Sequence, residues 1–179
     1  LNNLAQLNGS TSSTGVPSCS NCSATPQLVQ GPSLPSMAGK VVDLAAAGSG
    51  FTCAHVTTGE TICWGSLYKG QGGGLPATPA IQWLNAGWDH VCFLASGAGS
   101  CWGFNNNGQL GNGQFTPINP NVPLSLTPVA VLQPPFGFSK IDGGIAFTCG
   151  ISASKDDVYC WGINGYGQLG DGTTTARNQ

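Results

Sequence analysis

The chain has 179 residues, of which five are Lys or Arg and seven are Asp or Glu, so that only 7% of the sequence is charged. The few cations are scattered, which excludes the clustered basic face needed for binding a nucleic-acid backbone. No apolar run approaches the roughly 18 residues of a membrane-spanning helix. A hydrophobic content of 40% is enough to form a core, which distinguishes the chain from a disordered polar segment.

The beginning of the chain contains a close cysteine pair, Cys19 and Cys22, and two glycosylation motifs, at Asn8 and Asn21. This cysteine spacing also occurs in zinc sites and in redox motifs. Here, however, no second pair of the same spacing accompanies it and no βαβ pattern surrounds it. A local Cys19–Cys22 disulfide is therefore favoured, with half a metal site or a redox motif as the alternative.

Three β-hairpins are predicted further along the chain. Each has a short apolar or β-branched run that contains one cysteine, then a turn rich in Gly, Ser or Asp, and then a second run that contains Cys-Trp-Gly. Cysteines that face each other across an antiparallel pair come close enough to form a disulfide. The predicted pairs are Cys53–Cys63, Cys92–Cys101 and Cys149–Cys160. Together with the glycosylation motifs, these disulfides indicate an extracellular or cell-surface protein.

The hairpins are copies of one repeat. Two small residues precede the first run of each copy, and after Trp-Gly two of the copies continue into the same loop, at residues 105–113 and 164–172. Residues 2–9 resemble this loop but are one residue shorter. The copy after Gly65 lacks it and has residues 70–74, a glycine-rich run, instead.

The order of a small-residue lead-in, an apolar strand, a turn, Trp-Gly and Asn-x-x-Gly-Gln-Leu-Gly-Asp-Gly resembles the repeat of the regulator of chromosome condensation family. The resemblance covers roughly residues 40–115 and 138–179, with a partial copy at 1–15. It implies an all-β fold of β-propeller blades, in a family whose propellers typically have about seven four-stranded blades. The family's usual His after the lead-in occurs only as His90. The added cysteine pairs are similar to those of secreted relatives such as Crinkly-type receptor ectodomains.

The repeats divide the chain into four segments. Residues 1–40 are predicted to be the end of a preceding repeat plus a Ser/Pro-rich connector, 41–80 and 81–137 are repeats, and 138–179 is a repeat cut within its loop. Because about three repeats cannot close a ring of the usual size, we expect the chain to be part of a larger propeller. Three tryptophans recur at one position of the repeat and are predicted to pack between adjacent blades: Trp64, Trp102 and Trp161.

The sequence predicts no catalytic, cofactor-binding or metal site. His55 stands where the other copies have Leu94 and Ile151, and His90 stands where they have Phe, so both histidines are interpreted as packing residues. Asp89 precedes His90, but neighbours on a strand point to opposite faces. The glycine-rich loop lacks the Lys and Ser/Thr of a phosphate-binding loop. We therefore expect a non-catalytic extracellular structural or protein-interaction module, not an enzyme, with no cofactor.

The predicted partner is a protein or further copies of the chain. Recognition commonly resides in variable loops on a rigid scaffold, and three connectors qualify: residues 10–38, 66–80 and 114–137. The alternative is a carbohydrate-binding, lectin-like propeller in which aromatic side chains stack on glycans. Its candidate residues are Trp83, Trp88, Tyr68 and Tyr166. Since Trp83 and Trp88 occur in one copy only, and a lectin built from repeats usually repeats its site, the protein partner is favoured.

Overall fold

The computed structural model describes residues 39–67, 81–115, 125–132, 134, 137–154 and 156–179. Several predicted features lie outside these residues. They are the Cys19–Cys22 pair, the glycosylation motifs at Asn8 and Asn21, the partial loop copy at 2–9, Tyr68, the glycine run at 70–74, and most of the three connectors.

Ten β-strands form three antiparallel sheets in the described part of the chain. The first sheet contains β1 (Val42–Ala47), β2 (Phe51–Val56) and β3 (Thr61–Gly65). The second contains β4 (Ile81–Ala86), β5 (His90–Ala95), β6 (Ala98–Gly103) and β7 (Ser125–Ala130). The third contains β8 (Phe138–Gly143), β9 (Phe147–Ser152) and β10 (Val158–Gly162). In each sheet the strands pair in chain order, which confirms the all-β prediction.

Each sheet has a disulfide across its second and third strands. The register of β5 and β6 places Cys92 directly opposite Cys101, and the other two hairpins do the same with their cysteines. The Cα atoms of the bonded pairs lie 4.0–4.1 Å apart in Cys53–Cys63, Cys92–Cys101 and Cys149–Cys160. Ser96 and Gly97 both have positive φ, 52° and 80°, as a tight two-residue hairpin turn requires. In this hairpin the turn therefore sets the register that brings the two cysteines together.

The second sheet has a fourth strand within a region that was predicted to be a connector. β7 pairs with β6, with Ser125 opposite Gly103. Pro128 is tolerated in β7 because this strand lies at the edge of the sheet, where a missing N–H breaks no central ladder. In the third sheet, Gly162 forms the equivalent bridge with Arg177. Arg177 thus stands where the second sheet has Ser125, the first residue of its fourth strand.

Two hydrophobic clusters join the three sheets. One contains Phe51 and Cys53 of the first sheet together with Phe93 and Trp102 of the second. The other joins the Cys92–Cys101 disulfide region and Leu110 of the second sheet to residues of the third, among them Phe138, Ile141 and Trp161. Trp102 and Trp161 therefore lie between their own sheet and the preceding one. Trp64, the equivalent residue of the first sheet, is also buried.

Candidate functional site

The loop after Trp-Gly in the second sheet is wound around one buried asparagine. We call residues 105–113 the second-sheet loop. The side-chain oxygen of Asn105 accepts the Leu110 N–H at 3.0 Å. Its amide nitrogen donates to the side-chain oxygen of Asn112 at 3.2 Å and to the carbonyl of Gln114 at 3.1 Å. A single side chain thus satisfies three groups that a bare loop would leave unpaired.

The third-sheet loop, residues 164–172, has the same internal hydrogen bonds. Asn164 accepts from the Leu169 N–H at 3.0 Å and donates to Asp171 at 3.1 Å. Asp171 also accepts from the hydroxyl and the N–H of Thr173, at 2.8 and 3.0 Å, and from Arg177 at 2.8 Å. These hydrogen bonds, led by those from Thr173, hold the pKa of the Asp171 carboxyl well below its usual range. This carboxylate is therefore anionic at neutral pH.

Four buried groups connect the second-sheet loop to the third sheet. The backbone carbonyl of Gln109 accepts two hydrogen bonds, from the Thr148 hydroxyl at 2.8 Å and from the Trp161 indole N–H at 3.0 Å. The Thr148 hydroxyl also contacts the Nε2 atom of His90 at 2.8 Å. Because both lone pairs of the Gln109 oxygen are used inside a buried interface, loss of either donor would leave this acceptor one hydrogen bond short.

This network determines the protonation state of His90. The single proton of the Thr148 hydroxyl is donated to Gln109, so the hydroxyl oxygen must accept from His90 and the ring carries its proton on Nε2. The other ring nitrogen, Nδ1, is buried without a hydrogen-bond partner in the part of the chain that the structure describes. Burial lowers the pKa of His90 to about 4. His90 is therefore a neutral packing and hydrogen-bonding residue at physiological pH.

Side chains of β4, the first strand of the second sheet, also join this sheet to β8, the first strand of the third sheet. The indole N–H of Trp83 donates to the Ile141 carbonyl at 2.7 Å. The side-chain oxygen of Asn85 accepts the Gly143 N–H at 2.7 Å. Both contacts satisfy backbone groups of β8, so they hold β8 at a defined position against β4.

The three sheets meet again at the turns between their first two strands. The Ser49 N–H donates to the Trp88 carbonyl at 3.3 Å, and the Trp88 N–H donates to the Gly144 carbonyl at 3.1 Å. Gly87 leaves no room for a side chain, since a Cβ atom there would lie 2.4 Å from the Gly144 oxygen. A cleft of about 470 Å³ opens over these turns, and we call it the turn cleft. Trp88, 46% exposed, and Ile145, 62% exposed, line it.

The aromatic residues proposed for glycan binding lie in different surroundings. Trp88 lines the turn cleft, whereas Trp83 donates to the third sheet and has the Lys140 ammonium 5.8 Å from its ring centre. Tyr166 projects from the third-sheet loop and is almost fully exposed.

His55, the other histidine, is buried and contacts the Asp43 carboxylate at 2.8 Å.

Sequence reasoning missed the residues that make the interface polar. Gln109 has an equivalent in Gln168, and Asn105 has one in Asn164, so recurrence in the two loops was a signal for both. Thr148 recurs as Thr52 in the first sheet. No signal in the sequence shows that a backbone carbonyl, that of Gln109, is the common acceptor, because a carbonyl belongs to every residue type.

The described residues contain no group of three or more His, Cys, Asp or Glu side chains that could hold a metal ion. They also contain no helix with the length and apolar character needed to cross a membrane.

Each of the three consecutive antiparallel sheets has a disulfide and a buried tryptophan at the same positions. In the second and third sheets this tryptophan packs against the preceding sheet. These features define a protein built of propeller blades. Comparison with protein families agrees. The model described as "Regulator of chromosome condensation (RCC1) repeat" matches residues 101–151, and a second model with the same description matches residues 138–168. The chain thus carries RCC1-type repeats, which confirms the resemblance seen in its sequence.

Solved structures share this fold. Yeast RCC1 (Prp20), in a complex with Kap60, is 16% identical with a TM-score of 0.67, and the match covers 76% of this chain and 36% of that one. Human WBSCR16 is 20% identical with a TM-score of 0.64, over 80% and 39%. The ectodomain of the Physcomitrella patens receptor kinase CR4 is 20% identical with a TM-score of 0.51, over 77% and 35%. The chain therefore spans well under half of the length of each of these proteins.

Proposed function

We propose that this protein is a non-catalytic extracellular module that binds a protein partner through the turn cleft. The observation that carries the proposal is the exposed apolar pair, Trp88 and Ile145, held on three hydrogen-bonded turns of a disulfide-stapled frame. Exposed apolar side chains on a rigid scaffold are typical of protein-binding surfaces, and Trp is enriched among the residues that dominate binding energy.

A non-catalytic role is supported by the state of the reactive side chains in the described residues. His90 is buried, neutral and bonded to Thr148. The six cysteines of the three hairpins are in disulfides, so none of them supplies a thiolate. General acid–base catalysis needs an accessible group with a pKa near the working pH, and neither His90 nor these cysteines meets that condition.

An extracellular location is supported by the three disulfides, which persist in oxidising compartments. One of the matched folds is that of a receptor-kinase ectodomain, and another is that of yeast RCC1, whose structure is a complex with Kap60. Glycosylation at Asn8 and Asn21 and a local Cys19–Cys22 disulfide are part of the same proposal. The chain is then one portion of a larger extracellular or cell-surface assembly.

The chemistry of the turn cleft favours a protein partner over a sugar. Among the described residues that line it, the polar side-chain groups are the Ser49 hydroxyl and the Trp88 indole N–H, and the rest of the wall is formed by glycines, alanines and Ile145. A sugar site needs several polar groups around its aromatic platform to orient the hydroxyls. An apolar side chain of a partner protein needs only the shape and the desolvated surface that this cleft provides.

The proposal predicts that a photo-cross-linking amino acid at Ser49 forms discrete adducts with proteins of the extracellular fraction of the source organism. The matched control carries the cross-linker at exposed Thr58, in the turn between β2 and β3. Adducts specific to Ser49 and reduced at least about tenfold by Trp88→Ala are expected, since truncating a central Trp commonly costs 2 kcal/mol or more of binding energy. The same adduct pattern at both positions, or no adducts, would contradict the proposal.

Carbohydrate binding is the second candidate, because the exposed Trp88 ring could stack on a sugar face. We expect a glycan array probed with the intact chain to show no signal above background. A signal on one glycan class that is abolished by Trp88→Ala and retained in the Thr58 control would establish a lectin instead of a protein-binding module.

A further inference from the structure

Three asparagine–glycine pairs lie in the two equivalent loops that follow Trp-Gly. The second-sheet loop contains Asn107–Gly108 and Asn112–Gly113, and the third-sheet loop contains Asn164–Gly165. A fourth pair, Asn8–Gly9, lies outside the described residues. Asparagine is among the chemically least stable residue types of proteins, and a following glycine leaves its own backbone nitrogen unshielded because it has no Cβ. Each pair is therefore a candidate for covalent modification.

The reaction at such a pair has defined requirements. The backbone nitrogen of the glycine attacks the side-chain carbonyl carbon of the asparagine and loses its proton, the C–N bond of the side-chain amide breaks, and ammonia leaves. Water then opens the resulting cyclic succinimide at either of its carbonyl carbons, which gives aspartate or isoaspartate. The asparagine side chain must therefore be free to turn toward the glycine nitrogen, and that nitrogen must be free of a strong hydrogen bond. Hydrogen bonds in the folded loops decide where both conditions hold.

Asn164 is held at both ends of its side-chain amide. The side chain is buried, and its oxygen accepts the Leu169 N–H at 3.0 Å. Its nitrogen donates to the Asp171 carboxylate at 3.1 Å and to the Thr173 carbonyl at 3.0 Å. All of these hydrogen bonds would have to break before the side chain could turn toward the Gly165 nitrogen, so this pair is protected.

At Asn112, both reacting groups are held. The side-chain oxygen of Asn112 accepts from the Asn105 amide and from the Gln114 N–H, each at 3.2 Å. The attacking nitrogen, that of Gly113, donates to the Asn178 carbonyl at 2.8 Å, and the Asn178 amide donates back to the Gly113 carbonyl at 2.9 Å. These two hydrogen bonds fix the glycine, so this pair is protected as well.

Asn107 is held much less tightly. Its side chain is partly exposed and makes no hydrogen bond to another residue of the described ranges, although its backbone N–H donates to the Gln109 side-chain oxygen at 2.9 Å. The attacking nitrogen, that of Gly108, donates to the Asn105 carbonyl at 3.2 Å, which is longer than the 2.8 Å bond that holds Gly113. Of the three asparagines, Asn107 therefore needs the least opening of the fold in order to react.

We propose that Asn107 is a site of spontaneous deamidation, at which the folded protein is slowly converted to its aspartate and isoaspartate forms. The co-reactant is water, and ammonia is released. Isoaspartate routes the main chain through the side-chain carbonyl and so lengthens the backbone by one methylene group. The third-sheet loop has Tyr166 at the equivalent position and cannot react there. The inference concerns a covalent change and is independent of the partner proposed for the turn cleft.

The residues after Asn107 have no room for a longer backbone. A Cβ atom at Gly108 would lie 2.7 Å from the Cα atom of Asn178, so the turn already fits closely against this residue. The next carbonyl, that of Gln109, accepts the two buried hydrogen bonds from the third sheet. An additional methylene group at position 107 must displace one or both of these contacts. We therefore expect the isoaspartate form to have a loosened contact between the second-sheet loop and the third sheet.

Ageing of the full chain with its disulfides intact tests the site. After incubation in warm, mildly alkaline buffer, peptide mapping by mass spectrometry measures the aspartate and isoaspartate formed at each asparagine. We expect Asn107 to react at least about tenfold faster than Asn112 and Asn164, because these two must first lose several further hydrogen bonds. In the reduced chain unfolded in urea, all three should react at similar rates, since each precedes a glycine. Comparable rates in the folded chain, or no product at Asn107, would overturn the assignment.

Two variants at the same position test the structural consequence. Asn107→Tyr has the residue of the third-sheet loop and cannot deamidate, whereas Asn107→Asp has the charge of the ordinary product without the longer backbone. Amide hydrogen exchange at residues 109–111 should become at least about tenfold faster when the unchanged chain is aged, and should not change when Asn107→Tyr is aged. Fresh Asn107→Asp should match the fresh unchanged chain. An equal rise in aged Asn107→Tyr, or rapid exchange in fresh Asn107→Asp, would show that isoaspartate at this position is not what loosens the contact.

Discussion

Gly111→Ala is expected to lower the free energy of unfolding by about 3–5 kcal/mol, whereas Gly170→Ala in the equivalent position should lower it by only about 1–2 kcal/mol. Both glycines have positive φ, 66° and 72°, so both substitutions carry the left-handed backbone cost of an L-residue. Only Gly111 adds a collision, with the rigid and buried Trp161 ring. The ring must then move away from the Gln109 carbonyl and leave it short of a donor.

Urea unfolding with the disulfides intact measures both variants, provided that fluorescence and circular dichroism give coincident transitions. The difference between the two variants isolates the sheet interface, since the backbone cost is common to them. Equal destabilisation of Gly111→Ala and Gly170→Ala would show that the interface around Trp161 yields without cost. In that case the buried network would not be what holds the second and third sheets together.

Acidification is expected to destabilise the protein through His90 by about 3 kcal/mol in total, because each pKa unit corresponds to about 1.4 kcal/mol. The pKa of His90 is about 4 in the folded protein, against 6.5 for a histidine in water. Between these two values the unfolded chain binds more protons than the folded one, so stability falls as the pH falls. Above about pH 6.5 and below about pH 4 this contribution no longer changes with pH.

The control is His90→Phe, because Phe51 and Phe147 occupy the same position in the first and third sheets. The variant loses the hydrogen bond to Thr148, at a cost of about 1 kcal/mol at neutral pH, but it does not titrate. Its stability relative to the unchanged chain should therefore rise as the pH falls from 6.5 to 4. Urea unfolding across this range measures the difference, in which contributions common to the two chains cancel. A difference independent of pH would mean that the buried imidazole accepts a proton without penalty.

Local features of the sequence determined the hairpins. The Ser96-Gly97 turn and the strands on either side of it specify a register over a few residues, and that register alone places Cys92 opposite Cys101. Recurrence of Trp-Gly and of the Asn-Gly-Gln-Leu loop was likewise sufficient to predict a repeat fold, because a repeated pattern implies repeated packing. In contrast, β7 lies beyond a Pro-rich segment, and the Pro within it obscured the alternating strand pattern.

Only the tertiary structure decided what each repeated residue does. Gln109 and Gln168 lie in loops of the same sequence pattern. The third sheet buries Gln109 in the second-sheet loop, whereas Gln168 in the third-sheet loop is partly exposed. His90 stands in the Phe position of the repeat, but its neutral state follows from Thr148, which lies 58 residues away in the chain and across a sheet interface. The periodicity of the sequence determined the strands and disulfides because these depend on neighbours a few residues apart. Burial and protonation depend on which sheets pack together, and a repeated sequence carries the same residues whether or not its neighbour is present.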